Sequence, residues 1–519
     1  MSEVSQAQSW LETIKAFKHP RVLTMLFFGI SAGLPLLLIF SSLSLWLREA
    51  GIEKSAVTYF SWAALGYSFK FIWAPLVDKL PLPFLTHKFG RRRSWLLLSQ
   101  AMIMSAITLM AFINPAEDAL TAMAWAAVLL GFSSATQDVV IDAYRIESAE
   151  PNLQALMSST YIAGYRIGML IAGAGALFLA SHLGSTMESY SYDAWKWSYL
   201  AMAGIMTIGV ITTLIITEPV QIVSDEIVHH GRQYLGFLTF FALSVTGFIA
   251  SFAYSSELAV TVKSILTEVL ANKHLAGTLV ELLRLTLALI VATAIAKLII
   301  LSGIVKQRMV EQTYIAPLKN FFQRYGWSFA WLLLALIGLY RISDIVLGVI
   351  SNVFYQDLGF TKPEIASVVK SFGLLMTIVG GFLGGLLAVR FGVMRILFLG
   401  ALLSALTNLL FMMLAQAGHD ITMLYIVISA DNLSAGLASA AFIAFLSSLT
   451  NISFTAVQYA IFSSLMTLLP KILGGYSGTM VETIGYQQFF LITALMGVPV
   501  LVLILWANNR FEYNDVTIR

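Results

Sequence analysis

The feature that most constrains this chain is a series of apolar runs, each long enough to cross a lipid bilayer, which takes about 20 residues of helix. Fourteen such runs are read at 22–47, 56–79, 94–113, 119–145, 155–181, 195–217, 234–256, 279–304, 328–354, 362–388, 395–416, 421–447, 454–480 and 487–508. In hydrocarbon every backbone N–H and C=O needs an internal partner, so only helices or closed barrels span. These runs far exceed the ~10 alternating residues of a barrel strand, and the chain is expected to be an all-α polytopic membrane protein. Composition agrees: 58% of residues are hydrophobic and only 11% charged, against roughly 25% charged in soluble domains. A soluble enzyme and a disordered chain are thereby excluded. The net charge of +3 is too small to suggest a nucleic-acid partner. With no cysteine there is no disulfide, thiol nucleophile or thiolate-bound metal, and no metal site is expected.

Residues 1–21 lack the apolar centre of a signal peptide. Trp10, Leu11, Ile14 and Phe17 fall near one helical face, as in a short interfacial helix. Orientation follows from the loop cations. With the N-terminus in the cytoplasm, seventeen Lys and Arg lie inside, Lys88, Arg91, Arg92 and Arg93 among them, and six lie outside. Both termini are therefore expected in the cytoplasm.

The chain reads as duplicated. Gly90 and Gly392 lie 302 residues apart, each beside basic residues, and Asp138 and Asp431 lie 293 apart in the fourth and tenth spans. Two six-helix bundles, 1–217 and 328–519, joined by a linker at 218–327 that carries two extra helices, explain this; parallel halves of this kind are a common transporter plan. The G-x-x-x-D-R-x-G-R-R pattern after the second span resembles that of the major facilitator superfamily. Asp78, Gly90, Arg91 and Arg92 fill its acidic, glycine and basic places, with Ala74 in place of the first glycine and an insertion at 80–88. The resemblance implies a gating role for these four residues and a major facilitator fold of fourteen spans. In the second copy Gly385, Arg390 and Gly392 match, but Val389 replaces the acid.

Ten ionisable residues lie inside the spans: Lys70, Asp138, Asp142, Arg145, Arg166, Arg341, Asp344, Lys370, Asp431 and Lys471. At about 3 kcal/mol each facing lipid, they would cost on the order of 30 kcal/mol, more than the ~5–15 kcal/mol stability of a typical fold. They must face protein or water. In the fourth span Asp138, Asp142 and Arg145 share one face at i, i+4 and i+7, flanked by Gln137 and Tyr144. Two carboxylates a turn apart in low dielectric repel, which favours a proton on one of them. Arg145 holds Asp142 charged, leaving Asp138 the first choice of proton carrier, with Asp344 and Asp431 as further acids. A buried ion-pair network that only ties helices together accounts for the same residues. Arg166 either binds an anionic group or neutralises those carboxylates. Arg341 and Asp344 can pair within their own helix. No P-loop, H-E-x-x-H or G-x-S-x-G motif occurs, so the chain is read as a secondary carrier rather than an enzyme.

The blocks "GFSSATQDVVIDAYRIE", "AGYRIGMLIAG", "YRISDIVLG" and "TAVQYAIFSSL", with the FGRRRSW loop, resemble the AmpG muropeptide permease family over nearly the whole chain. The resemblance implies import of GlcNAc-1,6-anhydroMurNAc, with or without a stem peptide, across the bacterial inner membrane. The proton gradient drives such import without a cofactor, and it serves peptidoglycan recycling and β-lactamase induction. The family's motif residues fall at Gln137, Asp138, Asp142, Tyr165 and Arg166. A glycopeptide of this kind needs cations for its carboxylates, amides for its N-acetyl groups and aromatics for its sugar faces. Arg145, Arg166, Arg341, Lys370, Gln137, Asn432, Gln458, Tyr144, Tyr165 and Tyr340 are the candidate contacts. The partners expected are this small glycopeptide and membrane lipid, with the protein a monomer. A carrier of another anionic solute such as acetyl-CoA, or a sensor or scaffold that does not transport, are the competing readings.

Overall fold

The computed structural model describes residues 15–52, 67, 69–117, 120–148, 153–186, 189–219, 231–270, 273–361, 364–474 and 476–517. The described residues are almost entirely helical, with no strand among them. They divide into two compact units: one formed by residues 1–78, 82–222 and 322–519, the other by 79–81 and 223–321.

In the larger unit the first five helices are α1 (Pro20–Glu49), α2 (Arg91–Ala111), α3 (Leu120–Ser148), α4 (Gln154–His182) and α5 (Tyr192–Ile215). Most of the expected second span lies outside the described residues; its described end is a short turn at Lys70–Ile72 and a helix at Ala74–Lys79. Two glycine pairs at i, i+4, Gly29/Gly33 on α1 and Gly164/Gly168 on α4, place backbone against backbone, since a Cβ at any of them would strike the facing chain. A wide π-turn at Leu38–Ser42 of α1 lies beside one at Ile171–Gly175 of α4, joined by Ser42 Oγ donating to the Ala172 carbonyl at 2.8 Å.

The smaller unit holds α6 (Gly231–Tyr254), α7 (Ser256–Leu270) and α8 (Lys273–Leu301). α6 and α7 meet at a 45° bend, where Arg284 Nε donates to Ser255 Oγ at 3.2 Å. Only 11% of Leu283–Leu301 is buried, as suits a helix bathed in lipid.

The larger unit resumes with α9 (Trp327–Asp357), α10 (Ile365–Phe391), α11 (Val393–Ala417), α12 (Ile421–Leu449), α13 (Thr455–Gly474), α14 (Ser477–Leu495) and α15 (Gly497–Thr517). Twelve helices among the described residues are long and apolar enough to cross a membrane, thirteen if the bent pair α6–α7 is one span, against the fourteen expected.

The duplication is visible in register. α3 and α12 are both 29 residues long and begin 301 positions apart. Gly90 and Gly392, with φ of +85° and +89°, each turn the chain into the next helix, a backbone conformation that favours glycine. This register corrects one expectation. The position matching Asp138 is Ser439, and Asp431 sits two helical turns nearer the start of α12. Helix ends are uncertain by one or two residues, far less than this gap, so Asp431 is not the repeat mate of Asp138.

Candidate functional site

α3 is helical throughout its polar stretch, which puts Asp138, Asp142 and Arg145 on one face. Their exposures are 7%, 6% and 0%. Asp142 is held from both sides: Arg145 Nη2 lies 3.2 Å from Oδ1 and Lys70 Nζ 3.9 Å from Oδ2. Asp138 has a weaker hold. Among the described residues its hydrogen-bond donor is the Tyr161 hydroxyl, 3.4 Å from Oδ1, and it also feels the charges of Lys70 and Asp142. Tyr67 stands near this acid too, donating from its hydroxyl to Ser134 Oγ at 2.6 Å. One carboxylate is thus fixed by two cations, while among the described residues its neighbour is hydrogen-bonded by a phenol.

A second cluster forms on the C-terminal half. The α9 backbone departs from helical angles at Arg341 (φ −96°, ψ 13°), which stands at the start of the continuing helix Ile342–Asp357. Arg341 Nε lies 3.1 Å from Asp344 Oδ2, and Nη1 donates to Ser439 Oγ on α12. Asp344 and Asp431 interact electrostatically, and Thr407 Oγ1 donates to Asp431 Oδ1 at 3.4 Å. Asn432 accepts from Thr377 Oγ1 at 2.9 Å and donates to the Ile428 carbonyl at 3.0 Å.

The Arg-rich end of the larger unit carries a polar junction between the halves. Asp78 accepts from the backbone N–H groups of Ala456 and Val457 at 3.2 and 3.0 Å, capping the start of α13 from the other half. An anion at a helix N-terminus meets both free donors and the positive end of the dipole. Arg92, 1% exposed, binds Asp78 at 2.7 Å, Glu147 at 2.5 and 2.9 Å, and Thr455 Oγ1 at 2.9 Å. Thr455 in turn donates to Glu147. Arg91 binds the Asp78 carbonyl at 2.7 Å. Arg145 extends the junction inward, donating to Ser447 Oγ at 2.6 Å and lying over the Tyr459 ring at 5.2 Å. Ser159 and Ile162 of α4 meet Gly381 and Gly385 of α10 alongside.

The comparisons with known proteins fall on the same plan. The Major Facilitator Superfamily pattern matches residues 58–350 and 332–516. A Rickettsia conorii protein named AmpG 4 is 30% identical over 496 residues, covering 96% of this chain and 98% of its own. The anhydromuropeptide permease of Escherichia coli K12 is 28% identical over 504 residues, covering 97% of this chain and 83% of its own. Among solved structures, the proton:xylose symporter XylE superposes with a TM-score of 0.55 at 13% identity, covering 96% of both chains. FucP, a major facilitator transporter, gives 0.56 at 13%, covering 95% of this chain and 99% of its own. The chain belongs to the AmpG family of the major facilitator superfamily. It is a multi-pass membrane transporter.

Within this AmpG-family fold the structure sorts the sequence candidates. Asp138, Asp142, Arg145, Tyr165 and Arg166 are linked by electrostatic contacts in the N-terminal half, and Arg341, Asp344 and Asp431 in the C-terminal half, with Asn432 next to Asp431 on α12. Tyr165 lies beside Tyr161, ring centres 6.1 Å apart. Gln137 is fully buried and accepts from Ser31 Oγ at 3.0 Å on α1. Tyr144 packs edge-on against Phe28. Tyr340 stacks on Phe442 and donates to the Leu397 carbonyl at 3.0 Å. Gln458, 2% exposed, accepts from the Asn451 N–H at 2.7 Å across the turn before α13. These four side chains meet neighbouring helix or turn groups at the positions given. One residue's shift along a helix rotates a side chain by 100°, enough to carry Gln137 and Tyr144 off the Asp138 face. Lys370 is exposed near the start of α10, with Nζ 3.1 Å from Asn352 Oδ1. The side chain of Lys471 lies outside the described residues.

The sequence reading missed Glu147, Thr455, Ser447 and Tyr161, and also Glu218, whose carboxylate accepts the Arg92 and Arg93 N–H groups at 2.8 and 3.1 Å. A carboxylate at the end of α3, two and a half turns from Asp138, was the available signal for Glu147.

Proposed function

We propose that this chain is a proton-coupled importer of anhydromuropeptides. Its full-length similarity to a protein named anhydromuropeptide permease carries the cargo reading. The unequal hold on two neighbouring buried carboxylates supports the coupling reading. Asp142, bound by Lys70 and Arg145, orders the site. Asp138, bound among the described residues by a tyrosine hydroxyl, takes and releases the proton. The excess of Lys and Arg at the Arg-rich end supports a cytoplasmic position for it. The Asp78–Arg92–Glu147–Thr455 junction then closes the cytoplasmic side, so the halves are free to admit cargo from the periplasm. Proton and cargo binding within the bundle loosen that junction and reverse access, with no cofactor beyond the proton gradient.

Purified full-length protein in liposomes tests the reading. Labelled GlcNAc-anhydroMurNAc-tripeptide is expected to accumulate above the external concentration only with an inward pH gradient, and unlabelled anhydromuropeptide, not acetyl-CoA, to compete. Asp138→Asn is expected to equilibrate cargo without accumulating it. Uphill uptake by that variant defeats the coupling assignment, and absence of uptake by the wild type defeats the cargo.

A further inference from the structure

Two acids and two cations meet along one face of α3, and one of the cations is loosely held. Lys70 Nζ lies 3.9 Å from Asp142 Oδ2, beyond the roughly 2.7–2.9 Å of a charge-assisted hydrogen bond. Asp142 already has Arg145 at 3.2 Å. Asp138 stands one turn away on the same face, with about 5–6 Å between Cβ atoms at that spacing, and it feels the charge of Lys70. A flexible ammonium beside two carboxylates divides its attraction between them. Besides Asp142, the titratable groups acting on Asp138 are phenols: Tyr67, Tyr161 and Tyr165 on α4, and Tyr459 on α13. Phenols are neutral where carboxylates titrate, so Lys70 is the group that answers a change of charge on Asp138.

The backbone that carries Lys70 leads to the polar junction. Lys70 opens a tight 3-10 turn, Lys70–Ile72, and the helix Ala74–Lys79 follows. A short 3-10 piece within a span often marks a hinge. Between the two pieces Trp73 Nε1 donates to Thr136 Oγ1 on α3 at 3.0 Å. Ala74 and Val77 share a buried core with Ala456 and Ala460 of α13. Eight residues after Lys70, Asp78 accepts the Ala456 and Val457 N–H groups at the start of α13. One short segment thus touches the two acids of α3 at its beginning and the opposite half at its end.

We propose that Lys70 relays the protonation of Asp138 to the Asp78 junction. This rests on the proton-coupled reading above and adds the residue that carries the signal. With Asp138 ionised, Lys70 is held between the two acids and Asp78 caps α13. A proton taken from water onto the Asp138 carboxylate removes one of the two attractions. Lys70 then closes on Asp142, which lies one turn nearer Glu147 and the junction. The Lys70–Ile72 turn follows it, the Ala74–Lys79 helix shifts along α3, and Asp78 leaves the Ala456 and Val457 N–H groups. Release of the proton to water reverses each step. Arg145 stays on Asp142 throughout, so that carboxylate is never left without a cation.

The full chain, which has no cysteine, takes spin labels at His87→Cys and Ser453→Cys, exposed positions of the two halves at the Arg-rich end. Distances between the labels in liposomes without cargo read the junction alone. From high to low pH the ratio of long to short distances is expected to rise roughly 5- to 150-fold in the otherwise wild-type chain, the range of a typical coupling between two sites. Asp138→Asn, permanently neutral, is expected to show the long distance at both pH values. Lys70→Gln is expected to stay short at both, and Lys70→Arg, which keeps the charge, to regain the response. Lys70→Gln/Asp138→Asn removes one charge of each sign, which guards against misfolding of Lys70→Gln alone, and is expected to return Asp138→Asn to the short distance. A Lys70 that only braces the fold would alter stability and leave the pH response in place. A response lost in Asp138→Asn but kept in Lys70→Gln overturns the relay and retains Asp138 as the proton carrier. A double variant as open as Asp138→Asn also overturns the relay. A wild type indifferent to pH overturns the coupling reading and the relay with it.

Discussion

Two helices of equal length, α3 and α12, occupy the same place in the two halves and have been given opposite work. α3 carries Asp138, Asp142, Arg145 and Glu147, all but one of them tied to a cation or anion within 3.9 Å. At the matching depth α12 carries Ser439 and Ser447, and both receive a hydrogen bond from an arginine of another helix. Its own acid, Asp431, sits two turns away and is hydrogen-bonded by Thr407. Ser447 thus supplies a neutral acceptor to Arg145 of the other half, while Ser439 serves Arg341 of its own half. A neutral hydroxyl can release an arginine without leaving a charge stranded, whereas a carboxylate cannot. On the proposed mechanism the α12 side is the face expected to let go when the halves separate.

That contrast can be broken at the Arg92 junction, where the largest effect is expected. Arg92→Ala strands Asp78 and Glu147, and loss of a buried partner of this kind costs about 3–5 kcal/mol. Its thermal unfolding midpoint should fall well below wild type; an unchanged midpoint removes α3 as the charge-storing helix. Asp142→Asn comes next. It deprives Lys70 and Arg145 of their shared counter-ion, with a loss of about 3 kcal/mol, while Asp138→Asn should leave the midpoint near wild type and abolish only pH-driven accumulation. Equal destabilisation by the two would show that both acids are structural. Ser447→Ala removes one acceptor from Arg145, about 1.5–3 kcal/mol for a charged hydrogen bond. Cysteine pairs placed across the Arg-rich end of this otherwise cysteine-free chain should then cross-link more slowly, and an unchanged rate would mean that α12 does not help hold the junction.

The smallest effect is at an exposed point. Thr361 and Glu364 form a capping box before α10, with the Thr361 N–H and hydroxyl donating to the carboxylate at 2.7 and 2.8 Å and His419 at 3.2 Å. The Thr361 N–H first, then its hydroxyl and His419, hold the Glu364 carboxyl below its ordinary range. A carboxyl so lowered contributes stability at neutral pH, and that contribution is lost as pH falls through its folded value, below the ~4.3 of a free glutamate. Glu364→Gln should therefore bring the neutral-pH stability slightly toward the acid value. A steeper acid limb in the variant contradicts the sign.

Much of the scaffold was legible because hydrocarbon imposes a simple rule. Every span must be long, apolar and helical, so length and hydropathy alone placed twelve of the described helices. The Asp138–Asp142–Arg145 stripe was legible for a similar reason, since helical spacing sets which side chains share a face. The protein partners of Gln137, Tyr144, Tyr340 and Gln458 were not legible, because a polar or aromatic residue in a span looks the same whichever neighbouring serine, ring or N–H it meets. Asp431 misled because sequence distance alone does not fix helix register.

The sequence by itself determined that this is a helical membrane transporter of duplicated plan, with charges that had to be sheltered, because burying backbone and charge in lipid has few solutions. Only the tertiary structure decided which charges shelter one another. Lys70 finds Asp142, Arg92 finds Glu147, and Arg145 finds Ser447. Those pairings depend on how helices distant in sequence approach within a few ångströms, and pairing energy falls too steeply with distance and exposure to be read from spacing along the chain.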